Sequence, residues 1–133
     1  MLLQLENMPP VSSPSLKEMS RLLRRMRSYG PSSYALLVDE PLGYVQVAGG
    51  GIGCVLERRL SAVGRVERAY LQNPVAVFED GTKLPCSAGL IVLLRDEWHT
   101  MDQVIEVFAS FLTGDPFPSW TSWRDMSDRL RST

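Results

Sequence analysis

Two spacings of apolar residues divide the chain. Leu16, Met19, Leu22, Leu23 and Met26 recur at helical intervals and fall on one face. Ser15-Leu16-Lys17-Glu18 ahead of them has the form of a capping box, and Gly30-Pro31 supplies a stop, so the spacing predicts a helix over 15–29. From Ser32 the period shortens to two. Tyr34–Val38, Tyr44–Ala48, Ile52–Leu60, Val63–Gln72, Val75–Phe78, Thr82–Leu84 and Leu90–Leu94 read as short strands. Alternation sets Tyr44 and Gln46 on one face of their strand and Val45 and Val47 on the other. Turn chemistry punctuates the series: Asp39-Glu40-Pro41-Leu42-Gly43, the glycine run Gly49-Gly50-Gly51, and Glu79-Asp80-Gly81-Thr82.

Helical spacing returns at Met101. Met101, Val104, Ile105, Phe108, Phe111 and Leu112 form a broad stripe behind a second capping box, Thr100-Met101-Asp102-Gln103, and Gly114 ends it. After Pro116-Phe117-Pro118, Ser122-Trp123-Arg124-Asp125 predicts the start of a last short helix reaching Leu130. Short strands joined by tight turns pair antiparallel, because parallel pairs need long crossovers. The expected fold is therefore α+β: an antiparallel meander of five to six strands, with an N-terminal helix and two C-terminal helices packed on it. One domain covers residues 1–133, divided into an extended arm (1–14), a helix (15–29), a sheet (32–94) and two helices (100–131). The arm carries Pro9, Pro10 and Pro14, and its first residues, Met1–Leu5, are apolar enough to add a short strand.

Composition narrows the partners. Of 133 residues, 44% are hydrophobic and 22% charged, and the formal net charge is −1, so no global charge calls for nucleic acid or an anionic membrane. No apolar run approaches the roughly 20 residues that span a bilayer. The start, Met1-Leu2-Leu3-Gln4-Leu5-Glu6, lacks the basic and long apolar regions of a signal peptide, which sets the expectation of a cytoplasmic protein. The first helix does carry a basic face of Lys17, Arg21, Arg24, Arg25 and Arg27. Without interleaved aromatics for base stacking it reads as a solvated face, and nucleic acid is not the expected partner.

Candidate chemistry is sparse. Gly51-Ile52-Gly53 lacks the third glycine of a dinucleotide fingerprint, since Leu56 stands there, and no helix follows; the run reads as a turn. His99 is the only histidine, and Asp96 and Glu97 beside it make a poor metal site. Cys54 and Cys86 lie in no C-x-x-C pattern, and in a reducing compartment both read as small buried hydrophobes. The adjacent acids Glu79 and Asp80 fall in a turn. No catalytic, metal or cofactor-binding residues are therefore expected.

Tyr44-Val-Gln-Val-Ala-Gly-Gly, Cys54-Val-Leu-Glu-Arg-Arg, Phe78-Glu-Asp-Gly-Thr, Glu97-Trp98, Gln103-Val-Ile-Glu-Val-Phe and Trp123-Arg-Asp-Met together resemble small bacterial immunity proteins of polymorphic toxin systems. The likeness spans about residues 32 to 127, and its motifs are structural rather than catalytic. It implies a non-enzymatic protein that binds one cognate toxin domain and blocks it. Aromatic and arginine anchors are favoured at such interfaces, so Tyr44, Gln46, Glu57, Arg58, Arg59, Tyr70 and Trp98 are the candidate partner contacts. Three other readings compete: a small-ligand or regulatory binding module using the glycine turn and the open sheet face, a hydrolase or transferase pairing Cys54 or Cys86 with His99, and a nucleic-acid adaptor using the basic helix.

Overall fold

A computed structural model of the chain describes residues 1–74 and 78–127. Its elements run β1 (Leu2–Leu5), β2 (Val11–Ser12), α1 (Leu16–Leu23), β3 (Tyr34–Asp39), β4 (Gly43–Gly49), β5 (Cys54–Leu60), β6 (Val66–Leu71), β7 (Thr82–Cys86), β8 (Gly89–Leu93), a 3-10 turn (Arg95–Glu97), α2 (Met101–Thr113) and β9 (Thr121–Asp125). Seven strands form one antiparallel sheet in the order β2-β1-β3-β4-β5-β6-β9, while β7 and β8 pair separately.

Alternation decides what each face of the large sheet holds. Leu3, Leu5, Ala35, Leu37, Val45, Val47, Leu56 and Ala69 point one way and are buried. Against them pack Met19, Leu22, Leu23 and Met26 from α1 and its exit, and Val104, Val107, Phe108 and Phe111 from α2. The opposite face is covered in part by the β7–β8 hairpin. There Val55, Leu84, Leu93 and Trp98 make a smaller core, with Phe78 tilted on Trp98 at a centroid separation of 4.4 Å. The architecture is thus α+β in three layers.

Both helices start at their predicted caps, with the reciprocal box complete at Thr100 and only its serine half formed at Ser15. The Ser15 hydroxyl accepts from the Glu18 N–H (3.1 Å), and Thr100 and Gln103 exchange reciprocal bonds of 3.2 and 2.9 Å. The first helix is shorter than 15–29. Arg25 and Met26 donate to the carbonyls three residues back, which tightens the chain out of the helix, and Arg27 N–H turns to Ser32. The N-terminal arm supplies two strands, β1 lying beside β3 with Leu3 opposite Leu37.

The largest departure lies at the C-terminal end. The helix does not start at Ser122: Thr121–Asp125 is strand β9, paired with β6 so that Trp123 stands opposite Ala69 and Arg124 opposite Arg68, and Ser127, whose N–H and hydroxyl donate to Asp125, is the first helical residue after it. Strand pairing wins because alternation here serves both faces. Trp123 turns its ring to the helix side and meets Arg58 and Phe117, while Arg124 reaches carboxylates on the other side. The predicted continuation over 128–130 lies outside the described residues, as does most of the predicted strand Val75–Phe78, residues 75–77. The Asp80-Gly81 turn leads into β7, which pairs with β8 apart from the large sheet, and the turn of that hairpin falls after Cys86.

The glycine run forms the β4–β5 turn and is wedged against the exit of α1. Gly50 has φ +125°, and a side chain there would collide with the Met26 carbonyl. The Ser28 hydroxyl donates to the Gly50 carbonyl at 3.1 Å, lacing the two loops together. Gly50→Ala is therefore expected to destabilise the fold by about 3 kcal/mol in urea unfolding, because strain and overlap add. Gly64→Ala, at φ +75° with no neighbour within 4 Å, should cost about 1 kcal/mol. Equal losses at the two positions would refute the wedge.

Candidate functional site

Antiparallel register lines up Gln46, Glu57, Arg68 and Arg124 in one row across β4, β5, β6 and β9. The row lies on the hairpin side of the sheet, and its members are joined end to end. Gln46 Nε2 donates to Glu57 Oε1 (2.8 Å), and Arg68 Nε donates to Glu57 Oε2 (2.9 Å). Arg68 Nη1 reaches Glu97 Oε1 at 3.2 Å and the Val92 carbonyl of β8 at 3.1 Å. Arg124 Nη1 donates to Glu97 Oε2 (2.8 Å), and its two terminal nitrogens grip Asp96 at 3.1 and 2.9 Å. Glu97 is fully buried and also accepts from the Leu94 N–H at 2.8 Å. Asp96 and Glu97 keep the Arg124 guanidinium protonated, and it stacks 4.3 Å above the Tyr70 ring. This ladder bonds the hairpin layer to the sheet through charge-assisted hydrogen bonds.

A second ion pair occupies the helix side. Arg58 Nε donates to Glu67 (3.0 Å) and its guanidinium lies 4.0 Å from the Trp123 ring centroid and 5.0 Å from that of Phe117. Burial pulls its pKa down, against the pull of Glu67.

Beyond the ladder's Gln46 end, the hairpin overhangs the sheet to leave a cleft of about 610 Å³. Leu36, Gln46, Ala48, Val55 and Glu57 line it from the sheet, Cys86, Ala88 and Ile91 from the hairpin, and Glu6, Asn7, Met8 and Pro10 from the arm. The tip of the hairpin is pinned to the arm. The Ser33 N–H and hydroxyl both donate to Glu6 Oε1 at 2.8 Å, and the Ser87 N–H donates to the Ser33 hydroxyl at 3.0 Å. Hydrogen bonds from Ser87 and Ser33 hold the Glu6 carboxyl below its ordinary range, so it stays ionised at neutral pH.

The seven predicted contact residues separate accordingly. Tyr44 and Arg59 are a cross-strand pair on the hairpin side, with Arg59 exposed and Tyr44 half-buried. Burial raises the Tyr44 phenol, followed by the Glu57 charge. Gln46 and Glu57 line the cleft, and Tyr70 lies under Arg124. Arg58 faces the opposite side and is held in its ion pair, while Trp98 is core. The cleft itself depends on β7–β8 folding back over the sheet, and the sequence reading missed it. The one local signal was a line of amides and a carboxylate, Gln4, Gln46 and Glu57, set among apolar neighbours.

The Cys54–His99 alternative meets a specific geometry. The two residues bridge through their backbones, each N–H donating to the other's carbonyl at 2.9 Å. Burial pushes the Cys54 thiol up to about 12, and burial holds the His99 imidazole below its ordinary 6.5 against the smaller pull of Glu97. A protonated thiol beside a neutral ring is the reverse of a thiolate–imidazolium pair. The His99 Nδ1 donates to the Glu97 carbonyl at 3.0 Å, which sets the tautomer. Among the described residues no group of three or more His, Cys, Asp or Glu could hold a metal, and no helix is long and apolar enough to cross a membrane.

Glu97→Ala takes one of two carboxylate partners from each of Arg68 and Arg124, which keep Glu57 and Asp96, and leaves the partly buried Leu94 N–H without its acceptor, so unfolding stability should drop by about 2 kcal/mol. Arg24→Ala, which removes only an exposed pair with Asp102 (2.8 Å), should change it by less than about 0.5 kcal/mol. His99 gives the pH dependence. Its folded pKa is depressed, so between that value and the unfolded value near 6.5 the unfolded chain binds more protons. Stability should therefore fall as the pH drops through and below 6.5. In His99→Gln that slope should vanish from the difference between pH 7 and pH 5.5 denaturation curves, leaving only the carboxylate contribution.

No protein-family model matches the chain, and neither does any curated protein. Its function has to be read from the residues themselves.

Proposed function

We propose that this chain is an immunity protein, which binds a cognate bacterial toxin domain one to one in the cytoplasm and blocks it without catalysis. The observation that carries this reading is the end of the molecule where the β4–β5 turn meets the loop after α1. Tyr29 and Ile52 stand 88% and 83% exposed on two loops laced by the Ser28–Gly50 bond. Arg24 and Arg25 are exposed on the same loop, and the Arg27 side chain lies 3.6 Å from where a Gly51 side chain would start. An aromatic and an aliphatic anchor beside guanidiniums is the composition of an interface hot spot. The partner that fits is a protein with an apolar pocket rimmed by carboxylates, since complementary charge speeds association and selects the partner. The resemblance to immunity proteins points the same way. This moves the expected contact from Arg58 and Trp98, which are occupied inside the fold, to Tyr29 and Ile52.

Co-expression with the toxin domain encoded beside it tests the reading. The wild-type chain is expected to co-purify with the toxin and restore growth, and Tyr29→Ala with Ile52→Ala should weaken the complex at least about tenfold. A wild-type chain that neither binds nor rescues would overturn it. A second reading, a small-ligand binding module, is favoured by one observation, the cleft on the open part of the sheet's hairpin side.

A further inference from the structure

We propose that the cleft between the sheet and the β7–β8 hairpin takes a small organic cation, an ammonium or guanidinium carried on an unbranched apolar body. This rests on the ligand-binding reading and names the ligand's chemistry. At about 610 Å³ the cleft has the size of ligand pockets, which run to roughly 300–1,000 Å³. Its middle is apolar: Leu36, Ala48 and Val55 rise from three adjacent strands, and Ile91 faces them from β8. That strip suits a chain of methylenes lying across the strands.

The polar groups set the charge of the ligand. Two carboxylates, Glu6 and Glu57, line the cleft, and no lysine or arginine is among the lining residues. Glu57 already holds the Arg68 guanidinium, so its charge is answered from behind the cleft wall. Glu6 is different. Its bonds come from neutral donors, Ser87 and the Ser33 hydroxyl and N–H, and no cationic side chain pairs with it among the described residues. An ionised carboxylate at the edge of an apolar cleft attracts a counter-charge and repels an anion. Gln46 adds an acceptor: its NH2 group is turned to Glu57, which leaves its carbonyl oxygen as the end that can receive an N–H.

The test uses the full chain labelled with ¹⁵N and titrated at pH 7 with hexylammonium chloride, 1-hexanol and sodium hexanoate. These probes share one apolar body and differ in head-group charge. Hexylammonium is expected to shift the backbone signals of Gln46, Ala48 and Ile91 saturably, with affinity at least fivefold above hexanol, and hexanoate to leave them unmoved. Glu6→Gln should abolish the preference for the amine over the alcohol, and Ala48→Phe, which fills the middle of the cleft, should abolish binding of both. Equal affinity for hexylammonium and hexanol in the wild type would overturn the cationic ligand while leaving a ligand-binding cleft. No cleft shifts with any of the three would overturn both. The wild-type comparison decides the matter even if a variant fails to fold.

Discussion

Glu97 is the constraint on which the other contacts depend. A carboxylate with no exposed surface tolerates burial only when its lone pairs are filled, and here two guanidiniums and a backbone N–H fill them. Those donors come from β6, β9 and the entrance to the 3-10 turn, elements far apart in the chain. Satisfying one side chain therefore fixes how the last strand joins the sheet and where the hairpin layer ends. The same turn leads into Trp98 and His99, whose backbone pairs with Cys54 at the start of β5. The glycine turn is held from both sides as a result, by Trp98 against Gly53 and by the α1 exit against Gly50.

What the sequence disclosed follows the range of the interaction. The valine–glutamine alternation of β4, the box at Thr100 and the turn at Gly49–Gly51 are decided by neighbours a few residues away, and each appears where it was expected. The α+β class followed from them. Ser122-Trp123-Arg124-Asp125 satisfies a helix-start pattern just as well as a strand, and only Ala69 and Arg68, more than fifty residues earlier, decide between them. The ladder was invisible for the same reason. Its steps are separated by 11, 11, 29 and 27 residues, and no local period links them. Arg58 shows the limit at a finer scale: its strand was legible, but its inward direction depends on Glu67 and Trp123.

Two surfaces divide the functional possibilities by chemistry. One end of the molecule, at Tyr29 and Ile52, is apolar and basic; the cleft behind the hairpin is apolar and acidic. They lie on different structural layers, the first on the loops beside the helices and the second under β7–β8. A protein partner at the first leaves the second open to a ligand, so the two occupancies do not compete for the same residues.

The placement of β9 has a consequence for the order in which the protein is made. The large sheet draws a flanking strand from each end of the chain, β1 beside β3 and β9 beside β6. As the chain emerges during synthesis, β3 to β6 can form their hairpins, but Arg124 has not yet been added when Glu97 appears. Until residue 124 arrives, the buried carboxylate lacks the Arg124 guanidinium, and the hairpin layer lacks that cationic tie to the sheet. Docking of that layer is thus completed only after β9 has been made, and a chain truncated before Arg124 would carry a nearly complete sheet with a loosened lid.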